Sequence, residues 1–179
     1  MDVLELIEQL KIADKVTLFI RHAERYELPP DSIGERIPLT ECGKSAARHL
    51  GELLRGLTPR FLSAAETLRC RQTVFRIYYG AYPTETIAHY TGAPVLGSFS
   101  PFLRGDTSPA AADFVEGLTT RYDGHFLVAI THDVNIREFA RVHNVTLHSA
   151  TCPDFLEGIV IIYKGKETRY EPFYEPALA

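Results

Sequence analysis

Hydrophobic residues along this chain recur in two periods, and the alternation between them lays out the elements. Val3, Leu4, Leu6, Ile7 and Leu10 have the spacing of an amphipathic helix. Val16-Thr17-Leu18-Phe19-Ile20 follows as a buried strand and runs straight into Arg21-His22-Ala23-Glu24-Arg25. Pro29, Pro30, Gly34 and Pro38 mark a loop. Thr40 reads as the N-cap of a second helix. Its stripe is Ala46, Ala47, Leu50, Leu53, Leu54 and Leu57, with Gly56 as the stop. Arg60-Phe61-Leu62-Ser63 is a short strand, and helical periodicity returns from Glu66 to Tyr79.

The stretch from Gly80 to Thr107 is rich in Gly, Pro and Ser, with one strand expected near Val95. Ser108-Pro109 opens a further helix, a cap followed by an N1 proline, with Phe114, Val115 and Leu118 as its inner face. Phe126-Leu127-Val128-Ala129-Ile130 is an unbroken apolar run, which suits a central parallel strand covered on both faces. Thr131-His132-Asp133 ends it, and a helix is predicted from Val134 to Val142. Ile159 to Tyr163, a Lys164-Gly165-Lys166 turn and Thr168 to Tyr170 form a C-terminal hairpin. Strands alternating with helices predict an α/β fold with a largely parallel sheet.

Composition narrows this picture. The 179 residues, 45% apolar and 23% charged, suit one globular domain over residues 1–179 that needs no disulfide or metal staple. A net charge of −4 argues against a nucleic-acid partner. No apolar run approaches the roughly 18 residues of a membrane helix, so no membrane partner is expected. The acidic start, Met1-Asp2-Val3-Leu4-Glu5, lacks the basic region of a secretory signal. Cys42, Cys70 and Cys152 are scattered and form no CxxC, which favours reduced thiols and a cytoplasmic location.

Two buried strands end in polar clusters with a histidine, Ile20-Arg21-His22 and Ile130-Thr131-His132-Asp133. In open α/β sheets ligands bind beyond the carboxyl ends of the strands. If the two strands are neighbours, both histidines face one crevice, and helix N-termini add positive dipole there. If a helical turn follows the first strand, Arg21, His22 and Arg25 converge. Arg69-Cys70-Arg71 adds a third basic cluster. Arginine forks match phosphate oxygens, so a histidine among arginines suggests phosphoryl transfer to a neutral imidazole. Asp133 is placed to donate a proton to a leaving oxygen.

These residues also carry a family resemblance. Arg21-His22-Ala23-Glu24-Arg25 resembles the Arg-His-Gly motif of the histidine phosphatase superfamily, which has the phosphoglycerate mutase-like fold. Thr40-Glu41-Cys42-Gly43 resembles its Leu-Thr-Glu-x-Gly helix start. Leu68-Arg69-Cys70-Arg71-Gln72-Thr73 resembles its Arg-x-x-Gln-Thr segment. Thr131-His132-Asp133-Val134-Asn135 resembles the His-Asp-x-Asn signature of the acid phosphatase branch.

The resemblance implies a three-layer α/β/α domain with a mainly parallel sheet. It implies His22 as the nucleophile that becomes phosphohistidine. Arg21, Arg25 and Arg69 grip the phosphoryl oxygens with His132 as a further donor, and Asp133, held protonated by its site, is the proton donor. No metal or other cofactor is expected. The substrate is a phosphorylated small molecule or a phosphoprotein. The chain departs from the pattern at Ala23, where the family has glycine, and at Ala65, where many relatives have serine.

Alternatives stand beside these assignments. Arg71 competes with Arg69, although the Gln-Thr spacing favours Arg69. Asp133 also suits a helix cap, and Glu85 or Asp106 are rival acids. Glu24 reads as a solvent or loop contact. Zinc on His22, His132 and Asp133 would meet three repelling arginines. The cysteines read as inert, and His49, His89, His125, His143 and His148 as structural or exposed. The loops Tyr26–Pro38 and Gly97–Thr107 are the expected specificity elements, with Arg36 and Arg104 available to a second anionic group. The rival activities are a phosphoglycerate mutase-type phosphotransferase, a phosphohistidine phosphoprotein phosphatase, and an inactive phospho-ligand binding module.

Overall fold

A computed structural model describes residues 1–30, 34–63, 67–83, 117, 124–149 and 152–176. The strand expected near Val95 and the helix expected from Ser108 lie outside the described residues. The chain opens with α1 (Val3–Ile12), capped by Asp2 and Glu5, each side chain accepting the other's backbone N–H. Val3 and Leu6 face inward, but Leu4 is 74% exposed. It sits about 100° around the helix from Val3, at the edge of the stripe rather than on it.

Strand β1 (Lys15–Arg21) comes next, then α2 (Glu41–Leu53), β2 (Arg60–Ser63) and α3 (Leu68–Ala81). Strand β3 (Phe126–Thr131) is followed by α4 (Asp133–Val142), and β4 (Gly158–Lys164) and β5 (Glu167–Phe173) close the fold. Thr40 caps α2 by accepting the Gly43 N–H at 2.9 Å, and Gly56 just beyond the helix takes φ +86°, a left-handed value that favours glycine.

The described strands form a five-stranded sheet in the order β2-β3-β1-β4-β5. β1 and β2 both pair with β3 in parallel, β4 is antiparallel to β1, and β5 is antiparallel to β4. The largely parallel sheet expected from the alternation therefore holds only for the β2-β3-β1 half. A turn as short as Lys164-Gly165-Lys166 admits only antiparallel neighbours.

Alternate residues of β1 divide the core between the two faces, as the period of a strand requires. Val16, Leu18 and Ile20 pack with Leu6, Ala47, Leu50, Val74 and Ile77, beneath α1, α2 and α3. Phe19 packs on the other face with Ile136, Phe139 and Ala140 of α4. Truncating a fully buried residue such as Leu50 to alanine is expected to cost about 2–5 kcal/mol. These two layers clamp the sheet, and β1, β2 and β3 all present their carboxyl ends at one edge.

Candidate active site

Register brings the two histidines together. Arg21 and Thr131 are paired across β1 and β3, and the His22 N–H donates to the Thr131 carbonyl at 2.9 Å. The next residue of each strand is a histidine. Their rings meet edge to face, with centroids 5.3 Å apart and planes at 74°. Both side chains are buried. His22 Nδ1 lies 2.8 Å from the Ala23 carbonyl, which can only accept, so Nδ1 carries the proton and Nε2 the lone pair. Arg69 Nε donates to that lone pair at 3.1 Å.

Burial is the chief cause that lowers the His22 pKa to about 2. The Ala23 carbonyl opposes it, while His132, Arg69 and Arg21 add to it. Burial likewise lowers His132 to about 3, with Arg69 adding and Asp133 opposing. Both imidazoles are therefore neutral at physiological pH, the state a nitrogen nucleophile needs. His132 Nε2 lies 3.3 Å from the Thr67 hydroxyl, and the buried Cys70 thiol packs against its ring at 3.7 Å.

Helix α3 delivers the nearest cation. Arg69, in its first turn, is buried and also donates to the Gly34 carbonyl, whereas Arg71 is exposed. Thr73 Oγ1 accepts the Ala23 N–H at 3.0 Å and donates to the Arg69 carbonyl at 2.8 Å. Gln72 Oε1 accepts the Leu39 N–H at 2.8 Å. The Gln-Thr pair thus ties α3 to the segments on either side of Arg25. Ala23, where the resemblance expects glycine, is wholly buried in the apolar core.

The other two arginines are placed differently. No helical turn follows β1, so the expected i, i+3 and i, i+4 convergence does not form. Arg25 instead makes an isolated bridge with Leu39, and its Nη1 donates to the Tyr26 carbonyl at 2.9 Å. It still acts electrostatically on Arg69. Arg21 donates to the Pro153 carbonyl at 2.6 Å and stacks over the Phe155 ring at 4.3 Å. Its Nε is buried without a hydrogen-bond partner, a donor left over at the edge of the site.

Asp133 opens α4. Burial favours its neutral form, but Arg21, the Cys152 thiol, the Val134 N–H and His132 together hold its carboxyl below the ordinary aspartate value. This corrects the expectation of a carboxyl held protonated: without ligand, the positive surroundings keep it ionised. Cys152 Sγ donates to Asp133 Oδ2 at 3.5 Å and lies 3.7 Å from Arg21. Burial pushes the Cys70 thiol up to about 12 and raises the Cys152 thiol as well, so both stay protonated, as the reading of the cysteines as inert expects, while they pack on His132 and Asp133.

The segment from Cys152 to Glu157 is the wall that sequence reasoning missed. Buried Glu157 accepts the Asp154 N–H at 2.6 Å and the Ser149 N–H at 3.0 Å, which folds this segment back over Arg21. Buried Leu156 takes φ +63° there. A branched residue pays strain for such a value, so the turn is held by its surroundings. Phe155 stands with its ring centroid 5.8 Å from that of His22. The only sequence signal for this wall was an acid and an aromatic before the hairpin.

Glu24 makes the loop contact expected of it. It accepts the Thr40 hydroxyl, and its carbonyl accepts the Thr40 N–H at 3.1 Å. A Cβ on Gly43 would lie 2.1 Å from that same carbonyl, so only glycine allows α2 to start against the loop. Arg36, His49, His125 and His148 are exposed, and His143 is half-buried. Ala65, Glu85, His89, Arg104, Asp106 and the loop Gly97–Thr107 lie outside the described residues. Among the described residues no group of three or more His, Cys, Asp or Glu side chains is placed to hold a metal ion, and no helix is long and apolar enough to cross a membrane.

No family model matches this chain, and no curated protein matches its sequence. Solved structures do match its fold. A protein assigned as the phosphohistidine phosphatase SixA of Agrobacterium tumefaciens superposes with TM-score 0.57 and 14% identity, over 88% of this chain and 96% of that one. The protein histidine phosphatase SixA complexed with tungstate gives 0.55 and 18%, over 87% and 93%. The ecdysone phosphate phosphatase of Bombix mori, also complexed with tungstate, gives 0.55 and 14%, over 87% and 91%. The chain has the phosphoglycerate mutase-like fold of these histidine phosphatases.

Proposed function

We propose that this protein is a metal-independent phosphatase that hydrolyses a phosphate monoester through a phosphohistidine on His22. The observation that carries the reading is the contact between Arg69 Nε and His22 Nε2 at 3.1 Å, beside a second neutral imidazole. It puts a lone pair and a phosphate-binding cation at one point. Tungstate, a tetrahedral oxyanion like phosphate, is held by two of the similar structures.

The chemistry is a double displacement. The phosphoryl group displaces Arg69 from the lone pair, and His22 Nε2 attacks phosphorus opposite the leaving oxygen. The P–N bond forms as the P–O bond breaks. Arg69, Arg21, Arg25 and His132 donate to the equatorial oxygens, where charge must be stabilised. Asp133 protonates the leaving oxygen. Water then attacks the phosphohistidine, gives its proton to Asp133, and releases phosphate and neutral His22.

An ionised Asp133 fits this role once the substrate's charge is counted. A phosphate monoester loses its second proton near a pKa of about 6, so the monoanion can carry in the proton that Asp133 passes on. The dianion's charge also offsets Arg21, which otherwise holds Asp133 ionised. Activity is accordingly expected to peak on the acidic side and decline as pH rises.

The test is hydrolysis of para-nitrophenyl phosphate, with a chelator present, by the unaltered protein and by His22→Ala. The reading requires turnover that survives the chelator and is lost in the variant. A folded, unaltered protein that binds phosphate without turnover would instead be a binding module. A phosphorylated histidine in a protein is the second reading of the substrate, favoured by the names of two similar structures. A phosphohistidine peptide, assayed with the same two proteins, tests it.

A further inference from the structure

The two imidazoles of the site are chemically alike, yet the double displacement asks opposite things of them. His22 must offer a lone pair at Nε2, and His132 must offer an N–H. The Ala23 carbonyl settles the first by holding the proton on His22 Nδ1. The start of α3 bears on the second. The Thr67 hydroxyl lies 3.3 Å from His132 Nε2, and both residues are buried. Thr67 is the N-cap of α3, where a threonine ordinarily turns its oxygen back to an N–H of the first turn. This one makes no cap bond and reaches the histidine instead. Among the described residues its oxygen is the only one within hydrogen-bond distance of a His132 ring nitrogen.

Cys70 gives this contact a direction. Its thiol, which burial keeps protonated, donates to the Thr131 carbonyl at 3.6 Å, and a carbonyl has no hydrogen to give back. The sulfur is left with lone pairs. Thr67 hydrogen-bonds with that sulfur, so the Thr67 O–H is the donor. The Thr67 oxygen is then the acceptor toward His132, and Nε2 carries the proton. The hydrogens run from Nε2 to Thr67, to Cys70 and to the Thr131 carbonyl, each bond polarising the next. The opposite tautomer would have to rest Nδ1–H on the sulfur at 4.0 Å, a longer contact.

We propose that Thr67 is a positioning residue for phosphoryl transfer: backed by Cys70 and the Thr131 carbonyl, it fixes His132 as the Nε2–H tautomer, so that His132 donates to the phosphoryl group while His22 attacks it. The tautomer stands on this chain of contacts; its consequence for turnover rests on the phosphatase reading. An arriving phosphoryl oxygen takes the Nε2–H from Thr67, as phosphorus takes the His22 lone pair from Arg69. The donor is then in place with no change of tautomer. A ring without this chain would divide between its two neutral forms, and one of them turns a lone pair toward the oxyanion.

Side-chain ¹⁵N spectra of the unaltered protein at neutral pH test this, with the His132 signals identified by their loss in His132→Gln. The expected result is a protonated Nε2 and an unprotonated Nδ1. The reverse would overturn the inference, and this reading needs no variant at Thr67. Thr67→Val keeps the branched shape and removes the hydroxyl. It should move part of His132 to the Nδ1–H form and lower kcat/KM for para-nitrophenyl phosphate by about tenfold. Thr67→Ser should keep the tautomer and stay within about threefold of the parent. Parental tautomer and rate in Thr67→Val, or equal losses in the two variants, would overturn the inference. Absence of turnover in the unaltered protein would sink the phosphatase reading alone, since the spectrum decides the tautomer.

Discussion

The parallel and antiparallel halves of the sheet contribute differently to the site. Strands β2, β3 and β1 run the same way, so the residues that follow them, Arg69, His132, Asp133 and His22, collect at one edge. The β4–β5 hairpin supplies none of these proposed reacting groups. The segment that enters it carries Cys152, Phe155 and Glu157, which hold Asp133 and Arg21 in place and wall off a cavity. Parallel strands gather the proposed reacting groups; the antiparallel return braces them. Substitutions in the first half should therefore strike turnover, and those in the second stability.

The largest effect is expected at His22. Replacing it with alanine should lower kcat by at least about 10⁴-fold, because the remaining groups act only around the nucleophile. Steady-state hydrolysis by a variant shown to be folded by circular dichroism checks this. Arg69→Ala should reduce kcat/KM by about 10²–10³-fold, the scale of losing one donor to transition-state charge. Arg25→Ala should cost clearly less, since Arg25 donates to its neighbour's carbonyl rather than to His22. Equal losses at the two arginines would break the distinction between them.

Asp133→Asn sharpens the comparison through the leaving group. Hydrolysis of an alkyl phosphate should fall by about 10²-fold, while para-nitrophenyl phosphate, whose leaving oxygen barely needs a proton, should lose far less. The same loss for both substrates would remove Asp133 from the donor role.

Much of the parallel half was legible in the sequence. Apolar runs at Val16–Ile20 and Phe126–Ile130 defined β1 and β3, and the histidine after each run marked the crevice. Thr40 and Gly56 marked the ends of α2 because capping chemistry is local. The rest depended on long-range placement. Nothing in the spacing of Arg25 showed that the chain would leave β1 as an extended bridge to Leu39 rather than as a helical turn. The ionisation of Asp133 rests on Arg21 and Cys152, residues far from it in sequence. The Phe155 wall rests on Glu157 accepting two N–H groups, an arrangement with no sequence signature.

The smaller effects concern stability. His22 and His132 take up protons more readily in the unfolded chain, at their ordinary value of 6.5, than in the fold, at about 2 and 3. The unfolded state then binds more protons, so stability is complete above that ordinary value and declines as pH falls below it. Each histidine contributes a slope of up to about 1.4 kcal/mol per pH unit. Urea denaturation across acidic pH should show this decline, and a folded His22→Asn variant should show it reduced. Glu157→Gln should lower stability by about 1–3 kcal/mol, by leaving a backbone N–H of the wall without its acceptor. A variant as stable as the parent would show that the wall is held by other contacts.

Rapid-quench trapping with radiolabelled para-nitrophenyl phosphate tests the central claim most directly. The account predicts a labelled protein whose phosphate is lost in acid, survives alkali and maps to His22, and whose formation keeps pace with turnover. Turnover without such a label, together with activity that persists in His22→Ala, would contradict it.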